Sequence, residues 1–376
     1  MTYKQIYLKI QEKCKKVFYA ETSNSLKQKN MLIVSHTLER GGAPLVLLEL
    51  IPFFQKEYNI IFISISDGNL RKKFLECGLD VFIGNSIDFV PYEPELWNSF
   101  DLVLLNTIIC YSYLPFFINK DVKVLWWLHE PEILFRNFYD RIPDFSSLSK
   151  NIEILSVTDE TAKCVKKYYG RESKILHMAL RDQYVGEYVR SDNKIRFFMP
   201  AKFQAIKGQD ILTQAILDLP PEIHNRAEFI FAGAQDEVQP EYYELINKLS
   251  IALNSVIMLG EIEKNQVYQW YQCVDCVLAP SRADATPTTI VEGMMFNRLC
   301  VCSDATGISH YIKNGYDGFV FPSEDIVSLK KLLIYIVENY ESMDKIRSHG
   351  REIYLKNFSM AAVESEIKDI ILDKLE

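Results

Sequence analysis

Residues 276–302 read CVLAPSRADATPTTIVEGMMFNRLCVC. The segment opens on a short apolar run, Cys276–Ala279, which stops at Pro280. A helix-length stretch follows over Pro287–Phe296, and a second apolar run over Leu299–Cys302. Two continuous apolar strands joined through a helix are the mark of a parallel sheet covered on both faces.

The same alternation extends in both directions. Candidate strands before it are Arg196–Met199, Glu228–Ala232 and Val256–Leu259, and Gly318–Val320 follows it. Helices are predicted over Gln209–Leu217, Glu241–Leu253, Asn265–Gln272 and Val327–Tyr340. The first half repeats the pattern, with strands at Met31–Ser35, Ile60–Ser64, Val81–Ile83, Leu102–Leu105, Val122–Trp127, Ile154–Val157 and Lys174–His177. Polar residues Arg181–Lys194, with Gly186, read as a linker. The expectation is an α/β protein of two units with parallel sheets facing a cleft. The first spans 1–182, with a leading basic helix over 1–20. The second spans 183–355, and a last helix, 356–376, packs back towards the first.

At 376 residues the chain is long enough for two cores. Hydrophobic residues make up 48% and charged residues 24%, which excludes a disordered chain. No apolar run reaches the ~18–20 residues that cross a bilayer, and the polar N-terminus does not read as a signal peptide. A cytoplasmic protein is expected, with a place at the inner face of a membrane left open. The net charge of −8 disfavours a nucleic-acid partner. Charge is uneven: residues 1–30 hold seven lysines and two acids, a net +5, so the remainder carries −13. Tyr3, Ile6, Tyr7, Ile10, Cys14, Val17 and Phe18 fall at helical spacing among those lysines. Such a helix either docks on the first unit or makes a peripheral contact with an anionic membrane. The eight cysteines include Cys273-x-x-Cys276 and Cys300-x-Cys302, but three of these lie in strand-like runs and read as buried thiols rather than metal ligands. No metal site is expected, and no Asp-x-Asp pair occurs in the chain.

Four loops carry candidate chemistry. Gly41-Gly42-Ala43 follows the first strand and opens a helix, where glycines permit a sharp turn and close approach to an anion. The spacing is not G-x-G-x-x-G, so a dinucleotide oxidoreductase loses support. His129 and Glu130 stand past the end of the Val122–Trp127 strand. Lys202 and Lys207, with Gly208 behind them, lie between the first strand and first helix of the second half, where two ammonium groups suit a diphosphate. Asp284 and Glu292, with seven residues between them, put one carboxylate in a loop and one on the following helix, where each can accept hydrogen bonds from a polyol. Thr286, Thr288 and Thr289 are candidate caps of that helix. The aromatic stretches Phe89–Trp97 and Tyr111–Phe117 are candidates for shaping an acceptor surface.

Together these motifs resemble family 4 glycosyltransferases of the GT-B fold, over about residues 31–340 and most strongly in the second half. The E-x7-E element corresponds to Asp284 through Glu292, the Gly-Gly-Ala loop to Gly41–Ala43, and the Arg…Lys-Gly pair to Lys202…Lys207-Gly208. The late glycine run corresponds to Gly307-Ile308 and Asn314-Gly315-Tyr-Asp-Gly318. The resemblance implies two Rossmann-like domains and transfer of a sugar, with retention, from a nucleotide diphosphate donor that needs no further cofactor. It implies acceptors such as a sugar, a lipid-linked glycan or a glycoprotein, in polysaccharide or glycoconjugate assembly. Glu292 would hold the donor ribose and Asp284 the sugar hydroxyls. Lys202 and Lys207 would neutralise the diphosphate, Thr288 and Thr289 would border it, and Gly41 and Gly42 would make room. His129, Asp284 and Lys207 would stand at the reacting centre. Asp284 replaces the family's Glu and Lys202 its Arg, which leaves open a non-catalytic partner of a transferase. A nucleotide-sugar epimerase on the same fold is a further alternative.

Overall fold

The computed structural model describes the chain apart from residues 1, 20–28, 93–95, 143–149, 188, 189, 191, 252 and 373–376. It divides into two units, Met1–Ala179 with Val363–Glu376, and Leu180–Ala362.

The second unit holds a six-stranded sheet. In chain order within the whole protein its strands are β8 (Ile195–Pro200), β9 (Ala227–Ala232), β10 (Val256–Met258), β11 (Cys276–Ala279), β12 (Leu299–Ser303) and β13 (Phe319–Phe321). They lie in the order β10-β9-β8-β11-β12-β13, every pair parallel. All residues of β11 and β12 are buried, as expected of strands covered on both faces. The helix Thr288–Met295 packs on them through Gly293, where a Cβ would meet Cys300 Sγ at 2.8 Å and Val277 Cβ at 3.0 Å. The strand order reverses at β8, between β9 and β11. In open α/β sheets that switch point is where ligands bind, beyond the carboxyl ends of the strands.

The first unit holds seven strands: β1 (Lys29–Ser35), β2 (Tyr58–Ser64), β3 (Asp80–Ile83), β4 (Leu102–Asn106), β5 (Lys123–Leu128), β6 (Ile152–Ser156) and β7 (Lys174–Ile175). They are again all parallel, in the order β3-β2-β1-β4-β5-β6-β7, with the switch at β1 and β4. The leading helix, Tyr3–Tyr19, is docked on this unit, since Ile6, Ile10 and Cys14 are buried in its core. Glu366, on the last helix, accepts from the backbone N–H of His177 at 3.0 Å and meets its ring nitrogen at 2.7 Å.

Several expectations are corrected. The described residues of the expected linker, Arg181–Lys194, are tied to the second unit. Arg351 donates to Asp182 at 2.7 Å, and Arg190 lies 3.7 Å from Asp275, so the described part belongs to the second unit. The unit boundaries therefore fall at 179/180 and 362/363, where Leu180 pairs with Ser359, rather than at 182/183 and 355/356. In the aromatic stretches, Phe89, Trp97, Tyr113 and Phe117 are core residues. The Trp97 indole stacks on Phe116 with centroids 4.9 Å apart, so these rings hold the first unit together instead of lining a surface. All eight cysteines are free; Cys276, Cys300 and Cys302 are buried, and Cys273 is half-buried. Burial pushes the Cys302 thiol up to about 12. Among the described residues no cluster of three or more metal-ligating side chains occurs, and no helix is long and apolar enough to cross a membrane.

Candidate active site

Beyond β8 the chain runs through a short turn, Ala205–Lys207, into the helix Gln209–Leu217. Gly208 joins them at φ +77, and a Cβ there would meet Pro280 O at 2.0 Å. A glycine is thus required for the β8 loop to lie against the β11 loop. That approach brings Lys207 Nζ to 2.5 Å from Asp284 Oδ2. Asp284 is held from the other side, where Gly307 N–H donates to its carbonyl at 2.8 Å. Lys202 leans the opposite way, with its Nζ 3.3 Å from Asp236 in the β9 loop. Gln209, itself buried, fixes the Lys202 carbonyl with a donated hydrogen bond of 2.9 Å. The two lysines therefore flank the end of β8 and do not share a partner.

Glu292 lies on the helix Thr288–Met295 and is 2% exposed. Its carboxylate is paired with the ammonium of Lys264, the first residue of the helix Lys264–Cys273. Lys264 had no sequence signal, because a lone lysine at a helix start looks like any solvated charge. The threonines do not cap the Glu292 helix. Pro287 is the N-cap and no side chain bonds the first turn. The Thr289 hydroxyl instead donates to Pro200 O at 2.9 Å, tying this helix to the end of β8, while Thr286 Oγ1 is buried without a partner. A helix start without a side-chain cap presents N–H groups and the positive end of the dipole to an anion. Lys202, Lys207, Asp284, Thr288, Thr289 and Glu292 are thus assembled around the carboxyl ends of β8 and β11, at the switch point.

In the first unit the helix Gly42–Phe54 also starts without a side-chain cap. Gly41 is extended, with φ −159, and a Cβ there would meet only Pro44 Cδ at 3.7 Å. The sharp turn expected at Gly41 is therefore absent, and Gly42 is simply the first helical residue. His129 Nε2 is 2.9 Å from Asn106 Oδ1, whose amide donates to Ala43 O at 3.3 Å. This chain of bonds links the ends of β5 and β4 to the Gly41–Ala43 loop. Burial, with a smaller contribution from His36, holds His129 down to about 3, so the ring is neutral at pH 7. Glu130 is buried and clamps two backbone N–H groups, those of Ile108 at 2.9 Å and His129 at 2.8 Å. Burial outweighs those bonds and raises its carboxyl to about 7. Thr107, between Asn106 and Ile108, has φ 94, a strained value for a β-branched residue. It is locked by Trp127 O, which accepts from its N–H at 2.8 Å, and by Trp126 Nε1, which donates to its carbonyl at 2.9 Å.

Comparison with known proteins shows the family. The model described as glycosyl-transferase family 4 matches residues 27–181, and that of glycosyl transferases group 1 matches 181–353. The chain belongs to the family 4 glycosyltransferases. The fold of this glycosyltransferase is that of GT-B enzymes. The structure of Anabaena HepE in complex with UDP and glucose superposes with a TM-score of 0.76 at 17% identity, covering 92% of this chain and 100% of that one. An uncharacterised glycosyltransferase of Methanocaldococcus jannaschii is 20% identical over 54% of this chain and 51% of its own length. A lipopolysaccharide core biosynthesis mannosyltransferase, LpcC, of Rhizobium leguminosarum is 26% identical over 34% of this chain and 36% of its own. The matches thus span about half the length of these curated relatives or less.

Proposed function

We propose that this glycosyltransferase moves a sugar from a nucleoside diphosphate donor to an acceptor hydroxyl with retention at the anomeric carbon. The observation that carries the reading is the Lys207–Asp284 pair, 2.5 Å apart beside the uncapped start of the Thr288–Met295 helix. One ion pair offers an ammonium to a phosphate oxygen and a carboxylate to a sugar hydroxyl within a hydrogen-bond distance of each other.

Negative charge grows on the diphosphate as the glycosidic bond breaks. Lys207, Lys202 and the helix N–H groups would supply the positive charge that meets it, and fixed donors of this kind lower the barrier most. Glu292, held by Lys264, accepts from the ribose hydroxyls. Asp284 accepts from hydroxyls of the transferred sugar as its ring takes on positive character. In the first unit, His129 is neutral and bonded to Asn106, so its role would be a hydrogen bond rather than a charge, and Gly41 and Gly42 leave room at the start of their own helix. The lysines and helix dipole supply the positive charge, so the reading requires no metal or other cofactor. The UDP complexes of HepE support a nucleotide sugar, and the likeness to LpcC, a lipopolysaccharide core biosynthesis mannosyltransferase, supports a role in polysaccharide or glycoconjugate assembly, in which the acceptor would be a sugar, a lipid-linked glycan or a glycoprotein. A cytoplasmic site of action fits this role, and the exposed Lys4 and Lys9 of the leading helix support a peripheral contact with an anionic membrane.

The test is release of nucleoside diphosphate from UDP-, GDP- and ADP-sugars by the purified chain, with and without sugar acceptors. Release from one donor class is expected. Absence of release together with absence of any thermal shift by every donor would refute the reading.

A further inference from the structure

Arg282 lies in the same loop as Asp284, two residues before it. Its backbone N–H donates to Ile206 O at 2.8 Å. Its guanidinium donates to Ala205 O at 2.5 Å and grips Asp210 with two parallel bonds, 2.9 Å to Oδ1 and 2.7 Å to Oδ2. Its Nε donates to Glu324 Oε1 at 2.9 Å, in the loop that follows β13. Asp210 is fixed in turn by Tyr242, whose hydroxyl donates to Oδ1 at 2.7 Å and accepts from the Asp210 N–H at 3.0 Å.

These bonds enclose residues 205–210, the turn that carries Lys207. A lysine is a point charge on a flexible stem, so its placement depends on where its backbone is held. Arg282 holds that backbone on one side and the Asp284 loop on the other. We infer that Arg282, with Asp210, is a positioning residue for the diphosphate grip: it sets the distance between Lys207 and Asp284 without touching the donor. The inference rests on the proposed function, and it deepens that reading by naming what gives the Lys207–Asp284 pair its geometry. Four of the five guanidinium N–H groups are engaged, in a fork that an ammonium cannot reproduce.

The experiment is titration calorimetry on the full chain with UDP and UMP, GDP and GMP, and ADP and AMP. The wild type is expected to bind one diphosphate more tightly than its monophosphate. Arg282→Gln is expected to lower diphosphate affinity about tenfold, the order for losing a charge-assisted bond, while monophosphate affinity changes by less than about twofold. Asp210→Asn, which keeps the shape, should act in the same direction and carries the test if Arg282→Gln fails to fold. Arg282→Lys should not restore the loss. Lys207→Ala should abolish the diphosphate preference, and adding Arg282→Gln to it should change little further, since the two act through one contact. An intact diphosphate preference in both Arg282→Gln and Asp210→Asn, or losses additive with Lys207→Ala, would overturn the inference and leave the nucleotide reading standing. A wild type that gains nothing from the second phosphate on any base would overturn the reading of function itself, and with it this role of Arg282.

Discussion

Glu130 is a carboxylic acid whose ionisation the fold opposes, and replacing it with glutamine isolates that cost. Its side chain is 5% exposed, and burial raises its carboxyl from 4.5 to about 7. Because the folded value lies above the unfolded one, the folded state keeps a proton that the unfolded state loses. Glu130 therefore contributes most stability at acid pH, and that contribution is lost as pH rises through 4.5 to 7. The displacement corresponds to about 3 kcal/mol. Glutamine mimics the protonated form and does not titrate. The stability of Glu130→Gln relative to wild type should thus rise by about 3 kcal/mol between pH 4.5 and pH 8. Burial holds His36 to about 4 and His129 to about 3, which destabilises the fold as pH falls below 6.5. Both rings are present in the two proteins and cancel in the difference. Urea unfolding followed by tryptophan fluorescence suits the measurement, since Trp97, Trp126 and Trp127 all lie in the first unit. A gap that stays constant within about 0.5 kcal/mol from pH 4.5 to pH 8 would refute a raised Glu130 and the electrostatics derived from it.

Lys207→Ala is expected to reduce turnover by roughly 10²–10³, the range for removing one donor to developing charge; steady-state kinetics with near-normal kcat would exclude the diphosphate role. Glu292→Gln should weaken nucleotide binding by about tenfold, and calorimetry showing unchanged affinity would exclude the ribose contact. Gly208→Ala adds a Cβ at φ +77 against Pro280 O, and should cost more than the ~1–2 kcal/mol of the left-handed conformation alone; a melting temperature equal to wild type would contradict the close loop approach.

Strand identity was legible in the chain because buried parallel strands are continuous apolar runs, unlike any neighbouring segment. Cys276–Ala279 needed no correction, and Leu299–Cys302 gained only Ser303. The residues on which the proposed chemistry rests were visible where type and spacing coincide, as in Asp284 and Glu292. Which partner each meets was not. Lys202 and Lys207, five apart in one loop, look like a pair but turn to opposite neighbours, Asp236 and Asp284. Arg282 and Asp210 lie inside the stretches that drew notice, yet an arginine in a loop carries no sign of the carboxylate 72 positions away that it grips.

Local periodicity and loop composition act over a few residues, and they were enough to reveal the α/β alternation, the two parallel sheets and the charged groups at the strand ends. Strand order is a long-range property, settled by which faces can be buried together, and only the tertiary structure put β8 beside β11. That adjacency turns Lys207 and Asp284 into one contact. In the first unit, burial likewise set the ionisation of His129 and Glu130, because the cost of charge depends on the atoms that replace water around it and not on the neighbours in the chain.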